Sequence, residues 1–232
     1  TAAKDLKAQL RDLNTSGADQ VVAATLHSLC FGILNRADVL RATGRTPRTL
    51  AEFEKVFLLA DIRGPLFRRL REKRRLIKAF EAAWARLQSD RPGWPNNRRD
   101  RAFHRDLMAW LRFHEGMLVG ELIPVALSCL RNNPACQEGR QFRFVLVDEY
   151  QDLNRAEQVI LDVLARQANF CVVGDDDQSI YSFKYAHPEG IIDYPRTHPG
   201  TREETLTQCR RCPRTIIRMA NNLIAFNNRI QR

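Results

Sequence analysis

Apolar residues recur along this chain in two patterns, one helical and one continuous. Leu6, Leu10 and Leu13 stand at helical spacing near the start, and from roughly residue 40 to 135 the helical period holds throughout. Leu66, Leu70, Ile77, Phe80, Trp84 and Leu87 mark one stripe of a long helix, which the Arg91-Pro92-Gly93-Trp94-Pro95-Asn96-Asn97 cluster breaks. Phe103, Leu107, Trp110, Leu111 and His114 continue on a second helix. Leu118 to Leu130 form a third, stopped by Asn132-Asn133-Pro134. Aromatic residues on such a stripe are expected to be core rather than a base-stacking surface.

Three short runs are continuous instead, as buried parallel strands are. Val21-Val22-Ala23-Ala24-Thr25-Leu26 is predicted to be a core strand feeding a helix or turn from His27 to Leu34. Phe144-Val145-Leu146-Val147 is a second strand and Phe170-Cys171-Val172-Val173 a third. Between these two, Asn154-Arg155-Ala156-Glu157 fits a capping box, and Val159, Ile160, Val163 and Leu164 give an apolar helical stripe ending near Gln167. Strand, helix and strand within about 30 residues make a βαβ unit. Beyond Pro188, Pro195 and Pro199 a loop-rich link leads to a last helix, with Pro213 in its first turn and Ile216, Ile217, Ala220, Leu223 and Ile224 on its apolar face.

The chemistry concentrates where the second strand stops, on Asp148 and Glu149. Ligands of open α/β sheets sit beyond the carboxyl ends of the strands, so carboxylates there can hold Mg²⁺ and orient a water towards a γ-phosphate. A solvated loop is the plainer reading of an isolated acidic pair. The next strand, however, also ends in a charged turn, Gly174-Asp175-Asp176-Asp177-Gln178-Ser179-Ile180-Tyr181-Ser182-Phe183-Lys184.

Together these stretches resemble a known family. Val147-Asp148-Glu149-Tyr150-Gln151-Asp152 and Gly174 to Tyr181 are similar to motifs II and III of the UvrD/Rep-like superfamily 1 DNA helicases. Thr25-Leu26-His27-Ser28-Leu29 looks like the family's Thr-Phe-His-Ser segment, and Leu206 to Ile224 like its motif IV region. The resemblance implies an α/β fold: a RecA-like P-loop NTPase parallel sheet flanked by helices, with an all-helical inserted subdomain. It places the RecA-like domain at 1–35 and 136–205, a basic helical insertion at 36–135, and the motif IV segment at 206–232. It further implies an ATP-dependent 3′-to-5′ helicase or translocase on single-stranded DNA, using ATP and Mg²⁺, with DNA repair or replication as the setting and single strands and single/double-strand junctions as partners.

Carried over by position, Asp148 would hold Mg²⁺ and Glu149 would activate water. Gln178 would sense the γ-phosphate, and Arg211 stands in the place of the motif IV arginine. Gln151, Asp152 and Arg210 would border the nucleotide, and Thr25, His27, Tyr181, Phe183 and Lys184 would face DNA. Two departures stand out. Cys209-Arg210-Arg211-Cys212 replaces the usual Asn-Tyr-Arg-Ser, so Arg210 stands where an aromatic would lie on adenine. Phe183-Lys184 replaces Trp-Arg, which keeps a π-face and a cation but loses bidentate geometry.

Charge and composition sharpen this picture. The net charge is +10, and between Arg63 and Arg105 14 Lys or Arg face four acids, so the excess is confined to one segment, the footprint of a polyanion partner. A solvated helix face is the alternative for any single charge run. No apolar run approaches the ~18 residues of a membrane span, so a soluble, cytoplasmic protein without a membrane partner is expected. The six cysteines are irregularly spaced, and reduced thiols are the expectation; Cys209 and Cys212 lack a second pair that would complete a zinc site.

No G-x-x-x-x-G-K-[ST] loop occurs, and none of the eleven glycines precedes a Lys. By resemblance the phosphate loop is expected before residue 1 and motifs V and VI beyond Arg232. The isolated chain is then expected to lack DNA-stimulated ATPase activity. The rival readings are a helicase-derived, non-hydrolysing nucleic-acid-binding module and a protein scaffold with an acidic partner.

Overall fold

The computed structural model describes residues 2–13, 16–89, 91, 93–133, 141–179 and 185–226. The chain is a mixed α/β structure, mostly helical with a small parallel sheet. It runs through α1 (Ala2–Asp12), a 3-10 turn (Ala18–Gln20), α2 (Leu26–Leu34), α3 (Ala37–Thr43), α4 (Glu52–Asp61), α5 (Leu70–Ala85) and α6 (Arg98–Phe113). A second 3-10 turn (Val119–Glu121) leads into α7 (Leu122–Asn132), followed by β1 (Phe144–Val147), a turn at Tyr150–Asp152, α8 (Arg155–Leu164) and β2 (Asn169–Val172). A turn at Asp176–Gln178, α9 (Glu189–Ile192), α10 (Tyr194–Thr197) and α11 (Arg214–Ile224) complete it. Among the described residues no helix is long and apolar enough to cross a membrane.

The chain divides into two compact units, one of residues 1–145 with 154–170, the other of 146–153 with 171–232. In the first, Cys30, Ile33 and Leu34 of α2 pack with Leu122, Leu127 and Leu130 of α7 and Ile160 and Leu164 of α8. α8 starts where the capping box was expected: Asn154 Oδ1 accepts from Glu157 N–H at 3.0 Å and Glu157 Oε2 from Asn154 N–H at 2.8 Å. That exchange satisfies two of the helix's orphan donors.

A second core in the same unit gathers Leu58, Phe67, Leu76, Phe80, Trp84, Phe103, Leu107 and Leu111. The aromatic stripe is therefore interior. Phe103 stands edge-on to Phe67 at 5.2 Å and stacks on Phe80 at 6.0 Å. Lys73, inside the basic run, is buried and donates to the Leu59 carbonyl at 2.6 Å. Arg45 and Glu121 form a buried ion pair at 2.9 Å; Arg45 also donates to the Gly116 carbonyl at 2.7 Å.

Two sequence expectations need correction. Residues 21–25 form no strand, and Val22 is 62% exposed. A strand is stabilised by its ladder partners, and this run has none among the described residues. Leu66 lies before α5 rather than on it, because Arg69 is still extended and α5 begins at Leu70. Phe67 enters the core in its place, over Gly64, where an added Cβ would meet the ring at 2.6 Å.

In the second unit Tyr150 packs edge-on against Tyr194 at 5.5 Å, and Tyr194 stacks on His198 at 4.0 Å. α11 forms as expected, but Pro213 precedes it as the N-cap residue instead of standing in its first turn, and Ile216 and Leu223 are 52% and 74% exposed.

Candidate active site at the strand ends

β1 stops at Val147, and the chain leaves the strand direction at Glu149, whose φ of 54° and ψ of 42° are left-handed. This region is uncommon for a residue with a Cβ and costs on the order of 1 kcal/mol, so the surrounding contacts must hold it. The break matters chemically. In a continuing strand Asp148 and Glu149 would point to opposite faces; with the strand ended at Val147, before both, the two side chains are exposed. Asp148 Oδ1 accepts the Glu149 N–H at 3.0 Å, which fixes one oxygen of that carboxylate.

Gln151 holds this arrangement from beneath. It is 1% exposed, donates through Nε2 to Glu149 Oε2 at 2.8 Å, and accepts at Oε1 from Asp175 N–H at 3.1 Å. Its carbonyl accepts from Ser179 Oγ at 3.4 Å. Asp175 organises the second loop in turn: Oδ1 accepts from Asp177 N–H at 3.1 Å and Oδ2 from Gln178 Nε2 at 2.8 Å. The carboxylate pair after β1 and Gln178 after β2 thus join through one buried amide. Gly174 makes the approach possible, since a Cβ there would strike the Gln151 amide oxygen and lie 2.7 Å from Ile191 Cδ1.

The structure therefore brings together Asp148, Glu149, Gln151 and Gln178. Asp152 closes the turn, its N–H donating to the Glu149 carbonyl at 3.0 Å. Asp175 and Gly174 were not singled out as site residues by the sequence. Their signal was the Gly-Asp-x-Asp spacing, in which an Asp caps the N–H two residues on. Arg210 and Arg211 stand exposed in the bend before α11, and among the described residues neither bonds to these carboxylates; Arg210 donates to Gln208 at 3.4 Å. Tyr181, Phe183 and Lys184 lie outside the described residues.

Thr25 and His27 have structural partners within the first unit. Thr25 caps α2, its Oγ1 accepting from Ser28 N–H at 3.2 Å. His27 Nδ1 lies 3.7 Å from Glu157 Oε1. The burial that surrounds Cys30 pushes its thiol up to about 12, with the Glu157 charge adding to the effect, so that thiol is inert.

A second feature belongs to the first unit. Residues 63–67 and the first turns of α6 enclose a cleft of about 520 Å³ walled by Arg63, Arg98, Arg101 and Arg105, with Phe67 and Ala102 also lining it. Of the 14 cations between Arg63 and Arg105, Lys73 alone is buried. Arg101 is held by the Pro95 and Asn96 carbonyls, and Arg105 pairs with Asp106 at 2.9 Å.

Among the described residues no group of three or more His, Cys, Asp or Glu is disposed to hold a metal on its own. Asp148 and Glu149 supply hard oxygen donors, and Mg²⁺ commonly takes one or two carboxylates and completes its shell with water and phosphate oxygens. The donor set fits that ion.

The family described as the UvrD/REP helicase N-terminal domain matches residues 1–199. The chain belongs to this family. Curated relatives include the "ATP-dependent DNA helicase PcrA" of Staphylococcus epidermidis, 28% identical over 240 residues, covering 98% of this chain and 32% of the relative. The protein of the same name in Bacillus subtilis is 28% identical over 253 residues, with the same coverage. That of Staphylococcus aureus is 26% identical over 239 residues, again covering 98% of this chain and 32% of the relative. This UvrD/REP chain therefore spans about a third of the length of the relatives it matches.

Proposed function

We propose that this chain is part of an ATP-dependent DNA helicase or translocase. Its strand-end loops would form one wall of the nucleotide site within a RecA-like domain of residues 1–35 and 136–205, and residues 36–135 would be its basic insertion. The observation that carries this reading is the Gln151 amide, which joins the carboxylates after β1 to the Asp175–Gln178 turn after β2. Loops linked in this way can respond to one ligand together. The PcrA relatives are named as ATP-dependent DNA helicases, which supports ATP as substrate and DNA as partner.

In the proposed mechanism, bound Mg²⁺ would neutralise charge on the β- and γ-phosphates. Asp148 would hold that ion through the oxygen not committed to the Glu149 N–H. Glu149, oriented by Gln151, would accept the proton of the attacking water. Gln178, tethered to Asp175, would exchange that tether for a γ-phosphate oxygen, and Arg211 would supply fixed positive charge as phosphate is released. Arg210 would stack on the adenine, and Asp152 would brace the turn beneath the nucleotide. Tyr181, Phe183 and Lys184 would hold single-stranded DNA by stacking and phosphate contact, and Thr25 and His27 would also contact DNA.

The test uses the full-length protein that contains this chain. DNA-stimulated ATP hydrolysis is expected, falling at least about a hundredfold in Glu149→Gln while nucleotide binding persists. Unchanged turnover in that variant would remove Glu149 from the mechanism.

The arginine-walled cleft favours a second reading, in which residues 63–105 bind nucleic acid without need of hydrolysis. Charge reversal at Arg63 and Arg98 is then expected to weaken oligonucleotide binding and flatten its salt dependence. Equal affinity at every salt concentration would leave the cleft a solvated surface.

A further inference from the structure

Cys209 and Cys212 lie in the exposed bend that precedes α11, separated by Arg210 and Arg211 and followed by the helix-capping Pro213. Their spacing and exposure set them apart from the other described cysteines. Both thiols are exposed and stand three positions apart in one bend. The Cys212 N–H is the strongest influence holding the Cys209 thiol below its ordinary value of 9.0, followed by that of Arg211, with the Arg211 guanidinium contributing last. A thiol held below its ordinary value and open to solvent is the more reactive one, and Cys209 is exposed. Cys30 is buried, and Cys171, though exposed, has no cysteine within three residues along the chain.

We propose that Cys209 and Cys212 form an oxidation-sensitive dithiol site that closes into an intramolecular disulfide with peroxide and reopens with a small dithiol. In the first step the Cys209 thiolate attacks one peroxide oxygen and the O–O bond breaks. Cys209 is oxidised to a sulfenic acid, and the departing hydroxide takes up a proton to become water. In the second step the Cys212 sulfur attacks the Cys209 sulfur, its thiol proton leaving with the sulfenic hydroxyl as a second water. Two thiols and one hydrogen peroxide thus give one disulfide and two waters. A reducing dithiol reverses this by exchange and carries the disulfide away. Closure places a covalent link across Arg210 and Arg211, so the oxidation state restricts the bend on which both arginines are displayed. This inference stands apart from the proposed motor function, because it depends on the bend alone.

The experiment treats the 232-residue chain with hydrogen peroxide and maps its cysteines by mass spectrometry. The expected result is a peptide that carries both Cys209 and Cys212 and has lost two hydrogens, restored by dithiothreitol, with the pair consumed roughly tenfold faster than Cys171. In Cys212→Ser the sulfenic acid on Cys209 is expected to persist and be captured by dimedone. In Cys209→Ser, Cys212 is expected to react no faster than Cys171. Oxygen addition without a cross-link in the parent chain, cross-links between chains, or equal consumption of Cys171 would each overturn the proposal. Both variants alter exposed side chains, and their circular dichroism should match that of the parent.

Discussion

The Gln151 side-chain amide donates to Glu149 at 2.8 Å from a position that is almost wholly buried. The same amide accepts from the Asp175 backbone, so a single side chain sets the spacing of two loops. Replacing it by the similar-sized Gln151→Leu leaves the Asp175 N–H without this acceptor and frees Glu149. A loss of about 1–3 kcal/mol in chemical denaturation is expected, the cost of a buried polar group deprived of its partner. Gln151→Glu keeps an acceptor for Asp175 but sets a carboxylate against Glu149, and should destabilise more at neutral pH than in acid. Equal stability of both variants with the parent would refute the bridging role.

Gly174 and Gly32 should respond oppositely to alanine. At Gly174 the new methyl meets Ile191 Cδ1 at 2.7 Å and the Gln151 oxygen, and a loss of about 1–3 kcal/mol is expected from overpacking. At Gly32, within α2, nothing lies within 4 Å of an added Cβ, and alanine should stabilise by about 0.5–1 kcal/mol through helix propensity. Thermal melts of the two variants provide the check.

The buried Arg45–Glu121 pair should be costly to break from one side. Glu121 also accepts the Leu118 N–H at 3.0 Å, so Glu121→Leu strands both a guanidinium and a backbone donor. A loss of about 3–5 kcal/mol is expected, against a much smaller change when Arg45→Met and Glu121→Leu are combined. A double-mutant cycle measures the difference, and strict additivity would contradict it.

His104 introduces a pH dependence. Burial against Phe80 and Trp94, with ring centroids at 5.4 and 5.0 Å, is the main cause that holds its pKa below the usual histidine value of 6.5. The folded state therefore disfavours the charged ring. Its contribution to stability is complete above 6.5 and is lost as pH falls through the lower folded value. His104→Gln should accordingly lose less stability than the parent between about pH 7 and pH 5. Parallel melting curves across that range would show that His104 does not titrate on unfolding.

What the sequence determined by itself was local. The stripes of α5 and α6, the Asn154–Glu157 exchange at the start of α8 and the strand–helix–strand order rest on residues at most a few positions apart, so their pattern is visible in the order of residues. The two acidic motifs were legible for the same reason, and they carried the family resemblance that the match over residues 1–199 bears out. What the tertiary structure decided involves partners remote along the chain. Whether Val21–Thr25 becomes a strand depends on a neighbour to pair with. Whether Lys73 joins the basic surface depends on the Leu59 carbonyl beneath it, and Arg45 meets Glu121 across 76 positions. Gln151 reads in sequence as one more polar residue beside two carboxylates. Only when the turns after β1 and β2 lie together does its amide find Glu149 on one side and Asp175 on the other, because hydrogen bonds between distant segments leave no periodic trace in either one.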